Sequence, residues 1–351
     1  MLRRDFLKAA SAGACLGLFP AVMRAQPGQP LVAASFGELP AGRDIRRVIS
    51  AGPVADVFLL SLIPGKLLGL STQSIPAERK QYLSDTVGRL PNTGRLAGRA
   101  STFPMEKILA LNPDIIVDIG STSESYISTA QRVFEQTGIP YVLISGRLES
   151  SARQLRTLGD MLGAPERGNR LADEAQAILS VAHTMRQRVA DRPPVKIFFG
   201  RSADGLETGL SGSLHAEVID MLGARNVAAE AGKNMMARVS MEQLIQWDPD
   251  IIITQDANYF QQLKTDRRWE NIKAVEQGRT YLAPSAPFGW LDSPPGINRL
   301  LGILWAAHVF YPALLPRPDY RERVIRYFAL YYGHTLTPAA LDRLDGLDGR
   351  A

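Results

Sequence analysis

The feature that most constrains this chain is a stretch of sequence that occurs twice. Pro104-Met105-Glu106-Lys107-Ile108-Leu109-Ala110-Leu111-Asn112-Pro113-Asp114-Ile115-Ile116-Val117 is matched by Ser240-Met241-Glu242-Gln243-Leu244-Ile245-Gln246-Trp247-Asp248-Pro249-Asp250-Ile251-Ile252-Ile253. Met, Glu, Pro, Asp and two Ile residues coincide, and most other positions are conservative. An offset of 136 residues is too long for a solenoid repeat and fits two similar lobes in one chain. The length agrees, because 351 residues exceed what one ordinary hydrophobic core uses.

Each copy reads as helix, turn, strand. Met105, Ile108, Leu109 and Leu111 fall close to helical spacing. Asn112-Pro113-Asp114 stops the helix, since proline cannot continue it and restricts the residue before it. Ile115-Ile116-Val117 follows as a β-branched strand, continuous enough in its apolar character to lie in a parallel sheet covered on both faces. Further strands are expected at 47–50, 140–144, 195–199 and 280–283. Between the lobes, Pro165 suits a first helical position, and Leu171, Ala175, Ile178, Leu179, Ala182, Met185 and Val189 recur at helical spacing up to Arg192-Pro193-Pro194. The expected architecture is therefore α/β, with two Rossmann-like α/β sandwich lobes joined by one long linking helix. The expected division is an export signal (1–25), an N-terminal lobe (26–150), a linking helical segment (151–192), a C-terminal lobe (193–318) and a C-terminal helical extension (319–351) packed on the second lobe.

The N-terminus carries the export reading. A charged start is followed by a short apolar stretch from Ala9 to Phe19, then Pro20 and small residues to Ala25. Arg3-Arg4-Asp5-Phe6-Leu7-Lys8 resembles the twin-arginine type of signal, which predicts a periplasmic protein. The single cysteine, Cys15, lies inside this signal, so no disulfide, cysteine nucleophile or thiolate metal site is expected. Cys15 is a poor lipid-anchor site, because Ala12-Gly13-Ala14 lacks the leucine usual before such cysteines. A net charge of +5 with no Lys/Arg block speaks against nucleic acid as a partner.

Taken together, the export signal, two α/β lobes, single linking helix and paired Met-Glu segments resemble class III periplasmic substrate-binding proteins over roughly residues 45–310. The resemblance implies a monomer with no cofactor and no catalysis, which closes over a small solute and delivers it to the permease and ATPase of an ABC importer. It also implies that Glu106 and Glu242, one acid per lobe, dock on permease arginines. Paired carboxylates suit bidentate arginine recognition. An acid favoured at a helix N-terminus is the plainer explanation, and Ser240 with Gln243 forms a capping-box pattern.

The resemblance places the ligand between the lobes, and open α/β sheets bind ligands beyond the carboxyl ends of their strands. That rule selects Pro53, Ser121, Thr122, Ser123 and Tyr126 in the first lobe. In the second it selects Arg201, Ser211, Gly212, His215, Asp256, Asn258 and Tyr259, with Trp290 and Asp292 as an added wall. Trp290, Tyr259, Tyr126 and Arg201 suit a bulky anionic iron chelate such as a siderophore, haem or a cobalamin-like complex. The serine-rich loops suit a small oxyanion such as molybdate or tungstate. No bare-metal site is expected, because of four histidines (His183, His215, His308, His334) only His215 follows a cleft loop. The rival class is an exported α/β enzyme. Against it, Gly209-Leu210-Ser211-Gly212-Ser213 lacks the second glycine of a nucleophile elbow, and no phosphate loop, His-Glu-x-x-His or dinucleotide fingerprint is present.

Overall fold

The computed structural model describes residues 30–72, 75–97, 102–232 and 235–347. The expected export signal and Cys15 lie outside the described residues. The strands of the first lobe are β1 (Val32–Phe36), β2 (Val48–Ser50), β3 (Ile115–Gly120) and β4 (Tyr141–Ser145). Their order is β1-β4-β3-β2, with β2, β3 and β4 parallel and β1 antiparallel on the edge against β4. Every residue of the three parallel strands is buried, as continuous apolar runs require. The edge strand β1 is half-buried, and its weak Val-Ala-Ala-Ser-Phe pattern gave no strand signal.

The second lobe contributes β5 (Lys196–Gly200), β6 (Glu207–Gly209), β7 (Arg225–Asn226), β8 (Met236–Arg238), β9 (Ile251–Thr254) and β10 (Thr280–Leu282). Four of them form a parallel sheet ordered β10-β9-β5-β7, while β6 and β8 pair antiparallel beside it.

The repeated segments fold alike. Helices Met105–Leu111 and Met241–Trp247 end in left-handed Asn112 (φ 40°) and Asp248 (φ 44°), conformations that Asn and Asp tolerate best after glycine. The aspartate after each proline then ties the turn to the start of a neighbouring parallel strand, β2 in the first lobe and β5 in the second. Asp114 accepts from the Arg46 and Arg47 amides at 2.7 and 2.8 Å, and Asp250 accepts from the Lys196 amide at 2.8 Å. The side chains of Arg47 and Lys196 in turn donate to Leu111 O and Trp247 O, carbonyls that each helix end leaves free. The capping box of Ser240 and Gln243 is present.

The linking helix runs from Pro165 to Val189, 25 residues, or about 38 Å. Helix Ser151–Met161 packs along it, and Gly159 and Gly168 allow the close approach: a Cβ on Gly168 would stand 2.9 Å from Gly159 Cα. Helix Arg299–Phe310 is buried almost all round, and no helix among the described residues is long and apolar enough to cross a membrane.

The C-terminal extension differs from expectation. Helix Arg317–Tyr327, the turn Phe328–Tyr332 and helix Pro338–Asp345 do not rest on the second lobe alone. Tyr82 of the first lobe stacks edge-on against Phe328 and His334. The Tyr331 hydroxyl donates to Leu171 O of the linking helix, and Arg167 joins Leu330 O to Ser61 O of helix Pro53–Leu62. The extension thus braces both lobes. An aromatic helical face shows in sequence that something covers it, but not which surface does.

Candidate functional site

The carboxyl ends of the parallel strands in both sheets turn into loops, and the cavity beside Arg201 is lined by second-lobe residues. On the first-lobe side the loops are Ala51-Gly52 after β2, Ser121–Ser123 after β3 and Gly146-Arg147 after β4. On the second-lobe side they are Arg201 after β5, Gln255-Asp256 after β9 and Ala283-Pro284 after β10. Arg79 donates to Ser285 Oγ from one lobe to the other at 3.2 Å.

An ion cluster that the sequence reading missed joins the two lobes. Glu217 takes Arg147 at 2.8 Å and Arg299 at 2.5 Å, and also accepts from the Leu148 amide. Arg299 further donates to Leu214 O and, across the lobes, to Gly146 O at 2.6 Å, while Arg147 reaches Gly212 O. Burial lowers the Arg299 pKa, and the Glu217 charge and hydrogen bond push it back up. The available signal was a lone cation inside the apolar run Gly296-Ile297-Asn298-Arg299-Leu300-Leu301. A buried charge must be paired, so such a residue marks a hidden acid.

The second-lobe wall centres on Arg201. Its guanidinium pairs with Asp292 at 2.7 Å and Glu207 at 3.0 Å. His215 Nδ1 lies 2.9 Å from both Asp292 oxygens. Burial works to raise the Asp292 pKa, but the hydrogen bond and charge of His215 and the charge of Arg201 bring it below the usual value. The carboxylate is ionised and can only accept, so the Nδ1 atom carries the hydrogen and Nε2 is left free for other use. Arg201, Glu207, Gln255, Asp256 and Ser293 help to line a cavity of about 200 Å³. The Gln255 side-chain amide, beside the Gly289 backbone, has neither its N nor its O partnered although both are buried. It opens the loop 255–259 that the strand-end rule selects.

Several expected ligand contacts are used elsewhere. Trp290 is fully buried, with its ring near Phe328 and its Nε1 bonded to Ala286 O. Tyr259 is fully buried too, against Trp269 and beneath Gly200 and Gly205. Neither can form a wall of the cleft. Asp292 is buried and acts through Arg201 and His215. Ser211 Oγ and the Gly212 amide both donate to Asp220, so those donors are already engaged. Asp256 accepts from the Tyr259 amide as a helix cap, and Asn258 is exposed on the same helix. On the opposite wall, Ser121, Ser123 and Ser125 hydroxyls form a chain at 3.3 and 3.0 Å, Thr122 and Tyr126 are half-buried, and Pro53 starts its helix.

Beneath that wall, Asp118 of β3 is buried with the Tyr141 hydroxyl 3.1 Å away, and desolvation lifts its pKa to about 6. Between about pH 4 and pH 6 the folded state therefore keeps a proton that the unfolded chain has released. Stability falls as pH rises through that window, by about 3 kcal/mol. Asp118→Asn should remove this slope. Urea unfolding of both proteins at several pH values checks it, and equal slopes would assign Asp118 an ordinary carboxyl.

Comparison with known proteins places the chain. It is 25% identical over 283 residues to the molybdate-binding protein MolA of Haemophilus influenzae, covering 74% of this chain and 79% of MolA. It is 24% identical over 191 residues to the Fe(3+)-citrate-binding protein YfmC of Bacillus subtilis, covering 52% of this chain and 58% of that protein. The structure of an ABC transporter solute binding protein from Sulfurospirillum deleyianum superposes with a TM-score of 0.79 at 26% identity, over 88% of this chain and 96% of that one. A family model described as "Periplasmic binding protein" matches residues 78–287, more than half of the chain. The chain belongs to this periplasmic binding protein family, the solute-binding components of ABC importers.

Proposed function

We propose that this protein is exported to the periplasm and delivers a small tetrahedral oxyanion, of the molybdate and tungstate class, to its importer. One observation carries the choice of ligand. The cavity beside Arg201 holds about 200 Å³ and has Arg201 and Gln255 on its lining, while Trp290 and Tyr259, two of the three aromatic side chains suited to a planar chelate, are sealed in the core and Tyr126 is half-buried. Drug-sized ligands occupy roughly 300–1,000 Å³, so the cavity suits an ion better than a haem or a siderophore. Arg201 offers a fork already oriented by Asp292 and Glu207, and a small rotation of Gln255 would give its unpartnered amide the oxyanion it lacks. The two lining carboxylates are engaged, Glu207 by Arg201 and Asp256 by its helix. The similarity to MolA supports the same reading.

The similarity to a ferric-citrate binder and the free Nε2 of His215 favour a second reading, an iron chelate. The two differ in what they ask of His215, since an iron chelate can take the Nε2 lone pair as a ligand and an oxyanion cannot. Titration calorimetry with molybdate, tungstate, ferric citrate and haem on the wild type and on His215→Ala decides. For the oxyanion, Arg201→Lys should weaken binding about tenfold, because the charge stays and the fork is lost. Binding of ferric citrate or haem alone would overturn the oxyanion reading.

A further inference from the structure

Among the described residues, three large apolar side chains stand exposed: Leu109 at 50%, Ile245 at 45% and Met235 at 61%. An isolated exposed leucine needs no explanation. Leu109 and Ile245, however, are related by the offset of the internal repeat, and each follows the glutamate of its lobe by three residues. Three residues apart on a helix is one face, so Glu106 with Leu109 and Glu242 with Ile245 form matching acid–apolar pairs.

The match extends through the helices. Residue by residue, Met105–Leu111 and Met241–Trp247 have the same pattern of burial, with Ile108 and Leu244 pointing inward and both acids exposed. Neither Leu109 nor Ile245 contributes to the core that holds its helix. Each helix is fixed by the same clamp, through Asp114 and Arg47 in one lobe and Asp250 and Lys196 in the other. The two pairs are thus presented on rigid mounts, which lowers the ordering cost of a contact. Glu242 is also kept ionised, its pKa lowered by hydrogen bonds from its own amide and from Ser240.

We infer that Leu109 and Ile245 are apolar anchors for a two-fold symmetric protein surface, each entering a hydrophobic pocket beside a cation that meets the neighbouring glutamate. Duplication on two lobes calls for duplication in the partner. An acid at each anchor calls for a basic residue at each pocket. The importer's paired permease subunits are that partner, so the inference rests on the importer reading. The glutamates supply salt-sensitive steering, and the anchors supply the desolvated centre that slows dissociation.

The test uses the mature protein and its permease–ATPase complex in lipid nanodiscs, with affinity measured across a salt series. Leu109→Ser and Ile245→Ser should each weaken docking about tenfold and together about a hundredfold, with an unchanged salt dependence. Glu106→Gln with Glu242→Gln should weaken docking and flatten the salt dependence. Ligand affinity and melting temperature should stay as in the wild type, since both apolar side chains already face water. A double serine variant that docks normally, while the glutamine pair does not, would overturn the anchors and leave the importer reading intact. Wild-type protein with no affinity for the complex would overturn both. A wild-type dimer in sedimentation that the serine pair dissolves would instead make this face a contact between two copies, which also overturns the inference.

Discussion

Replacing Arg299 with methionine should cost the folded protein about 3–5 kcal/mol, the usual penalty when one partner of a buried ion pair is removed. Typical domains are stable by only about 5–15 kcal/mol, so the variant should sit near the edge of folding. The physical reason is what remains behind. Arg299 is 1% exposed and serves the Glu217 carboxylate together with Leu214 O, Gly146 O and Gly296 O. Methionine fills similar volume but leaves these acceptors buried with fewer donors, and Arg147, itself partly exposed, cannot cover them all. Adding Glu217→Gln should restore part of the loss by removing the orphaned charge. Urea unfolding followed by tryptophan fluorescence reads both variants. A loss below about 1 kcal/mol would mean that water reaches Glu217 easily and that the cluster does not hold the lobes together.

Replacing both Glu106 and Glu242 with alanine should reduce solute uptake to background while leaving ligand affinity within about twofold and the melting temperature unchanged. Both acids are exposed, lie away from the cavity and take no part in the core, so nothing else should suffer. Uptake assays in cells, paired with calorimetry on the purified variant, separate delivery from capture. Uptake at the wild-type rate would remove these residues from docking and leave them as helix-terminal acids favoured by the dipole.

Much of the fold was legible from local pattern. The repeated Met-Glu segments, their Pro-Asp turns and the β-branched runs after them predicted the paired helix–turn–strand units, and spacing alone predicted the linking helix. These are short-range consequences of backbone chemistry: proline ends helices, β-branched side chains suit strands, and apolar period follows the helix turn. The edge strand β1 escaped because a half-buried partner on one side needs little hydrophobic signal.

The candidate site was legible only as a set of loops. Rules about strand ends located Arg201, His215 and the serines, but they do not say which way a side chain points. Trp290 and Tyr259 sit in the selected loops and are nonetheless turned into the core, because large aromatics lower free energy most where they lose the most water contact. Asp292 was expected at the ligand and is instead the buried anion that orients Arg201 and His215.

The sequence by itself determined that this chain builds two similar α/β lobes on one rigid helix, because repeats, caps and periodicity act within a few residues. The tertiary structure alone decided three other matters: that Arg147, Glu217 and Arg299 meet, that the C-terminal helices brace both lobes, and that the cavity beside Arg201 holds only about 200 Å³. Each depends on residues up to about 160 positions apart. Pairing and burial at such separations follow from how the elements pack, and no local pattern encodes them.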